Sequence, residues 1–216
     1  MNKIYLYLFS LLVFLIFPMK AQEGHDFFDP MDVFELEWAS DPQVSPDSKT
    51  IVYVRKSHDI MKDKVRSNIW QVKIDGEDHR PLYSELGNSY SPHWSPNQER
   101  LAFLSNNSGS TQIHIYWFKS GETRAITQLQ ESPSSLSWSP DGKWIAFTMN
   151  VKAKSNAIVE SREKPEGASW AEKPITVTTT RYQYDGRGIV EPSYRHIFVV
   201  PAEGGSARQL TTGNFN

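Results

Sequence analysis

No cysteine occurs among the 216 residues. That absence excludes a disulfide framework, a thiolate zinc site, an iron–sulfur cluster and a cysteine nucleophile. Charge of one sign is also missing. The 23 Lys and Arg stand against 25 Asp and Glu, a formal net charge of −2, so there is no basic face of the kind that nucleic acid requires. No Gly-x-x-x-x-Gly-Lys-Ser/Thr loop and no Gly-x-Gly-x-x-Gly is present, which leaves phosphate cradling unsupported. The stretches Gly87-Asn88-Ser89-Tyr90-Ser91, Gly167-Ala168-Ser169-Trp170-Ala171 and Gly205-Ser206-Ala207 all depart from the Gly-x-Ser-x-Gly turn of a serine hydrolase. The six histidines, at 25, 58, 79, 93, 114 and 196, show no metal-ligand spacing. His93 and His114 fall in strand-like runs, where a satisfied packing role is expected. No catalytic residue, metal or cofactor is therefore expected in this chain. What is present is a chain 38% hydrophobic and 12% aromatic, enough for one or two domains with a real core.

One long apolar run exists, residues 4 to 18, preceded by Lys3 and followed by Met19-Lys20-Ala21-Gln22. This is the layout of a secretory signal peptide, expected over residues 1–21. As a helix it would reach about 22 Å, short of the roughly 30 Å hydrocarbon core of a bilayer. Stable membrane insertion after cleavage is accordingly not expected, although Met19 is larger than the usual residue three before the cut, which leaves an uncleaved anchor as the rival reading. The expected location is periplasmic or extracellular.

Beyond the lead-in at 22–39, the sequence repeats. Asp41-Pro42-Gln43-Val44-Ser45-Pro46-Asp47-Ser48-Lys49, Ser91-Pro92-His93-Trp94-Ser95-Pro96-Asn97-Gln98-Glu99 and Ser135-Leu136-Ser137-Trp138-Ser139-Pro140-Asp141-Gly142-Lys143 align, with Ser-Pro steps at 45, 95 and 139. Each is followed by a β-prone run beginning at Ile51, Leu101 or Trp144, and then by a second at Ile69, Ile113 or Ile197. A Gly-containing turn and a short polar segment close each repeat: Arg80-Pro81-Leu82-Tyr83, Arg124-Ala125-Ile126-Thr127 and Arg208-Gln209-Leu210-Thr211. Four strands per repeat of this period describe a propeller blade. The expected fold class is all-β, a partial β-propeller over 40–216. It has about three four-stranded antiparallel blades, near 40–84, 88–129 and 133–212, and a short N-terminal helix.

The Ser-Pro-Asp-Gly step has a mechanical reading. Proline presets φ, Asp hydrogen-bonds the backbone two residues on, and Gly takes the positive φ that closes a hairpin between the first two strands. Two of the turns, at Asp47-Ser48 and Asn97-Gln98, lack the Gly and are expected to close differently. Trp94 and Trp138, just before the turn, are expected to pack between blades.

Trp138-Ser139-Pro140-Asp141-Gly142-Lys143-Trp144-Ile145-Ala146-Phe147 resembles the WD40-like repeat of TolB-type propellers, which also forms the N-terminal propeller of the prolyl oligopeptidase family of serine peptidases. Met31-Asp32-Val33-Phe34-Glu35-Leu36, leading into the first repeat, is similar to the acylaminoacyl peptidase and dipeptidyl peptidase 5 branch. So is Thr180-Arg181-Tyr182-Gln183-Tyr184-Asp185-Gly186-Arg187-Gly188. The resemblance spans roughly residues 27–216. It implies the non-catalytic propeller portion of an exported serine peptidase. A C-terminal α/β-hydrolase domain, absent from these residues, would be its partner, and peptides its substrates. The chain would then be a fragment of that enzyme. The other reading is a TolB-like periplasmic propeller that acts as a protein-binding scaffold.

The third repeat is interrupted. Phe103 and Ile113 are 10 residues apart, whereas the matching Phe147 and Ile197 are 50 apart, which places an insertion at about 149–195. Long insertions either pad a surface or carry function. Arg181, Tyr182 and Arg187 are the candidate substrate-access residues within it, since Arg and Tyr suit carboxylate and ring contacts; padding of one face is the blander alternative.

Overall fold

The structure is a computed structural model that describes residues 28–153, 164–170, 177, 180, 182–186, 188–190 and 192–215. The signal peptide expected at 1–21 lies outside these residues. Among the described residues no helix is long and apolar enough to cross a membrane.

Among the described residues of the N-terminal unit, which runs through Leu36, there is one 3₁₀ turn at Pro30–Phe34. Asp29 caps it: its carboxylate accepts from Met31 N–H at 2.8 Å while Asp32 Oδ2 accepts from Asp29 N–H at 2.8 Å. Proline at the first position suits this start, because its missing N–H would have no partner there. The short helix expected from sequence is thus one 3₁₀ turn.

Among the described residues from Glu37 onward the chain forms three four-stranded antiparallel sheets. The first contains β1 (Glu37–Val44), β2 (Thr50–Asp59), β3 (Lys64–Lys73) and β4 (Arg80–Tyr83). The second contains β5 (Ser89–Trp94), β6 (Arg100–Ser105), β7 (Gln112–Trp117) and β8 (Thr123–Ala125). The third is built from β9 (Pro133–Trp138), β10 (Trp144–Lys152), β13 (Ser193–Pro201) and β14 (Arg208–Gln209). A two-stranded ribbon, β11 (Gln183–Tyr184) with β12 (Gly188–Ile189), lies within the insertion. The insertion leaves from the tip of one long hairpin, since β10 and β13 stay in register from Trp144↔Pro201 to Lys152↔Ser193.

Each first hairpin closes by the same hydrogen bonds. Ser45 Oγ donates to Asp47 Oδ1 at 2.6 Å and accepts from Thr50 N–H at 2.9 Å, while Lys49 N–H donates to Asp47 Oδ1 at 3.1 Å. Ser95 with Asn97, and Ser139 with Asp141, repeat the pattern. These contacts favour the ionised carboxylate, so the Ser hydroxyls first and then the Lys49 and Lys143 N–H groups hold Asp47 and Asp141 below the ordinary 3.8. The turns without Gly do not close differently. Ser48 and Gln98 both adopt φ 61°, beside Gly142 at 67°. The bonds around Ser and Asp/Asn fix the turn, and the fourth residue takes the left-handed conformation whatever its side chain.

A second irregularity recurs in the innermost strand. Asp41, Ser91 and Ser135 have φ of 51°, 52° and 54°, and the ladder slips at each of these places. These are β-bulges. The second sheet is covered on both sides, which is why β6 and β7 are buried almost throughout. Leu101, Phe103 and Tyr116 pack against Val52, Val54, Ile69 and Leu82 of the first sheet. Ala102, Leu104, Ile113 and Ile115 pack against Leu136, Ile145, Phe147 and Phe198 of the third. Between sheets, Trp94 Nε1 donates to Gln43 O at 3.2 Å and Trp138 Nε1 to His93 O at 2.9 Å, the inter-blade position expected for both rings. Arg100 spans the second contact, donating to Gly142 O at 2.6 Å and Glu203 Oε1 at 2.7 Å with its guanidinium over the Trp138 ring. At the opposite end Asn88 ties the first two sheets: its Oδ1 accepts from Ser67 N–H and its Nδ2 donates to Val65 O.

Candidate functional site

Of the three substrate-access candidates, Arg181 and Arg187 lie outside the described residues. Tyr182 is exposed at the start of the ribbon, its carbonyl accepting from Val190 N–H at 2.8 Å. Gly186 turns the ribbon at φ 70°, and Tyr184 and Ile189 are exposed beside it. These residues present aromatic and apolar surface to water with no buried polar group among them.

A more enclosed arrangement lies at the outer rim, where sequence reading placed nothing. A cleft of about 510 Å³ opens between the end of β4 and the strand β8, lined by Tyr83, Glu85, Asn107, His114, Thr123 and Ala125 among others. Asn107 Nδ2 donates to Tyr83 Oη at 3.4 Å across one wall. The Tyr83 ring packs on Phe103, and burial pushes its phenol above the ordinary 10.0.

His114 is the unusual member. It is 5% exposed, stacked on Phe103 with ring centroids 5.5 Å apart and tilted against Tyr83 at 6.1 Å. Among the described residues neither ring nitrogen has a hydrogen-bond partner. The satisfied packing role expected from sequence is therefore corrected: the ring packs, but its polar atoms are left over. Burial among aromatic rings disfavours the imidazolium and holds the group below the ordinary 6.5. The signal was legible in the repeat. In the ladders Trp70 pairs with Pro81, His114 with Ala125, and Phe198 with Gln209, so His114 occupies a position that the other blades give to an apolar or nearly apolar ring.

The phase of the β7–β8 ladder sets what faces the cleft. Trp117 N–H donates to Glu122 O and Ile126 N–H to Ile113 O, so alternate residues of β8 turn their backbone groups toward β7. Those of Thr123 and Ala125 point the other way. A second cleft of about 510 Å³ lies on the far flank of β8, lined by Ser108, Gln112, Ala125, Thr127 and Gly205 among others. Among the described residues no group of three or more His, Cys, Asp or Glu is placed to hold a metal.

A family model described as the TolB beta propeller domain matches residues 37–179, the stretch that holds the first two sheets and the start of the third. This chain belongs to the TolB beta propeller family. Among curated proteins, this TolB-type propeller is 30% identical over 182 residues to an uncharacterized peptidase, YuxL, of Bacillus subtilis, covering 84% of this chain and 27% of YuxL. It is 30% identical over 135 residues to dipeptidyl-peptidase 5 of Porphyromonas gingivalis, covering 62% and 20% of the two chains. Among solved structures, acylaminoacyl peptidase of Pyrococcus horikoshii superposes with a TM-score of 0.60 at 14% identity, over 85% of this chain and 26% of that one. That likeness is one of fold. The TolB-type propeller spans about a quarter or less of the length of the curated relatives it matches.

Proposed function

We propose that this chain is the N-terminal propeller portion of an exported serine peptidase of the prolyl oligopeptidase family. Its role is to cover and gate a C-terminal α/β-hydrolase domain that carries the catalytic triad. The observation that supports this reading most is the 30% identity to a peptidase over 84% of this chain. The propeller contributes no nucleophile. It admits short unfolded peptides to the hydrolase and excludes folded proteins, and Arg181, Tyr182 and Arg187 contact peptide on the way in. Export follows from the signal layout at residues 1–21.

The test is labelling with a serine-directed fluorophosphonate. Residues 1–216 alone take no label, whereas the product of the full reading frame labels on one serine and cleaves short peptides. A labelled serine within 1–216 would overturn the reading. A full reading frame that yields an unlabelled propeller would favour the TolB-like protein-binding scaffold, the reading to which the family match alone leads. Export is checked separately by N-terminal sequencing of the mature protein, expected to begin near Gln22.

A further inference from the structure

We propose that the outer edge of β8 is a docking site for an extended polypeptide strand, which adds to the second blade and sends a polar or basic side chain into the His114 cleft. This goes beyond the peptidase reading and stands whether or not that reading does. Three observations carry it.

The first is the edge itself. β8 ends its sheet, and the outward N–H and C=O groups of Thr123 and Ala125 offer main-chain hydrogen bonds to an added strand. Proteins blunt such edges with proline, with very short strands or with bulges. The first blade has Pro81 in its edge strand, at the ladder position that corresponds to Ala125. The third has an edge strand of only two residues. β8, three residues long, has no proline at this position, and clefts flank it on both sides.

The second is His114. Leaving a buried donor or acceptor without a partner is destabilising, and Phe198 shows that an apolar ring fits the matching site in the third blade. A polar ring kept on the floor of a cleft, directly opposite the unguarded residue of the edge strand, suits a group arriving from outside. Side chains of an added strand alternate in direction, so one residue in two would point down beside His114.

The third is the chemistry of the walls. Glu85 contributes a carboxylate, and Tyr83, Asn107 and Thr123 contribute neutral donors and acceptors. Arg124 also lines the cleft, with its guanidinium over the Trp117 ring and its charge paired toward Glu203. A lysine or a neutral polar side chain meets complementary groups here, and an acidic one meets Glu85.

The experiment uses the full chain and a fluorescent, acetylated six-residue peptide of alternating threonine and lysine. Saturable binding by polarisation is expected, with slowed backbone hydrogen exchange across residues 121–127. Ala125→Pro, which copies the guard of the first blade, should weaken binding at least tenfold, and His114→Phe at least threefold. A peptide methylated on alternate backbone nitrogens should fail to bind the unaltered protein, a readout that does not depend on any variant folding. Replacing lysine by glutamate in the peptide should weaken binding, and Glu85→Gln should narrow that difference. No saturable binding at millimolar peptide, or equal binding by the methylated peptide or by Ala125→Pro, would overturn the proposal.

Discussion

His114 shows how a single residue can set the acid response of a propeller. Its ring is enclosed between Phe103 and Tyr83 with both nitrogens unpartnered among the described residues, so the folded state disfavours the charged form. In the unfolded chain the group takes up a proton near its ordinary 6.5, whereas the folded chain resists until lower pH. The folded state is therefore at its full stability above pH 6.5. It loses stability as pH falls from there to the folded-state value, by up to about 1.4 kcal/mol per pH unit from this group. His114→Phe, which places the ring of Phe198 in the second blade, should be more stable than the parent at every pH. The difference between the two should widen as pH falls below 6.5. Urea titrations of both proteins at pH 7.5 and 5.0 read this directly; an unchanged difference would mean that the ring finds a partner on protonation.

At the scale of elements, two devices recur, one in all three blades and one in the second and third. The Ser-Pro-Asp turn was readable, down to the Asp bonding two residues on, but its closure was not. Glycine is the usual residue at positive φ, yet Ser48 and Gln98 share the conformation of Gly142 because the turn is over-determined by hydrogen bonds. A side chain there carries a strain of about 1 kcal/mol. Ser48→Gly should accordingly raise stability by roughly 0.5–1 kcal/mol in denaturant unfolding. Gln98→Gly should gain less, since Gln98 Oε1 accepts from Asp47 N–H across the blade boundary. The second device is the closing Thr. Thr127 Oγ1 accepts from Ile113 N–H at 3.0 Å and donates to Gln112 Oε1 at 2.8 Å, and Thr211 Oγ1 accepts from Ile197 N–H at 2.9 Å. The hydroxyl thus completes a ladder that its own strand is too short to reach. Thr127→Val keeps the shape and leaves the buried Ile113 N–H unpaired, while Gln112 Oε1 keeps the bond from Leu129 N–H, a loss of about 1–3 kcal/mol in the same measurement. The sequence pattern marked these segments as strands; that the recurring step ends in a side-chain mimic of backbone pairing depends on geometry alone. The rim cleft was illegible for a related reason. Its walls come from β4, the β6–β7 loop, β7 and β8, and no run of residues records that convergence.

For the molecule as a whole, the repeat makes every blade face comparable with its neighbours. Ile69 and Ile113 have no exposed surface, pressed against the following blade, whereas Ile197 at the same position of the third blade is 44% exposed. Leu82 and Ile126 are buried, and the matching Leu210 is 48% exposed. On the opposite side, Leu101 and Ile145 are fully buried while the corresponding Ile51 is half-buried beside Tyr53 and Trp70. Both outer faces are therefore shaped as inter-blade surfaces, the one rich in aliphatic groups and the other in rings. Apolar area of this kind contributes about 25 cal/mol per Å² when it leaves water, and matched faces on separate molecules gain it by meeting. Residues 37–216 made on their own should self-associate in a concentration-dependent way by sedimentation velocity. Ile197→Lys combined with Leu210→Lys, both on exposed positions, should shift the distribution toward monomer while leaving the circular dichroism of the sheets intact. A parent polypeptide that sediments as a single monomer with a cooperative melt would show that these faces are satisfied by water.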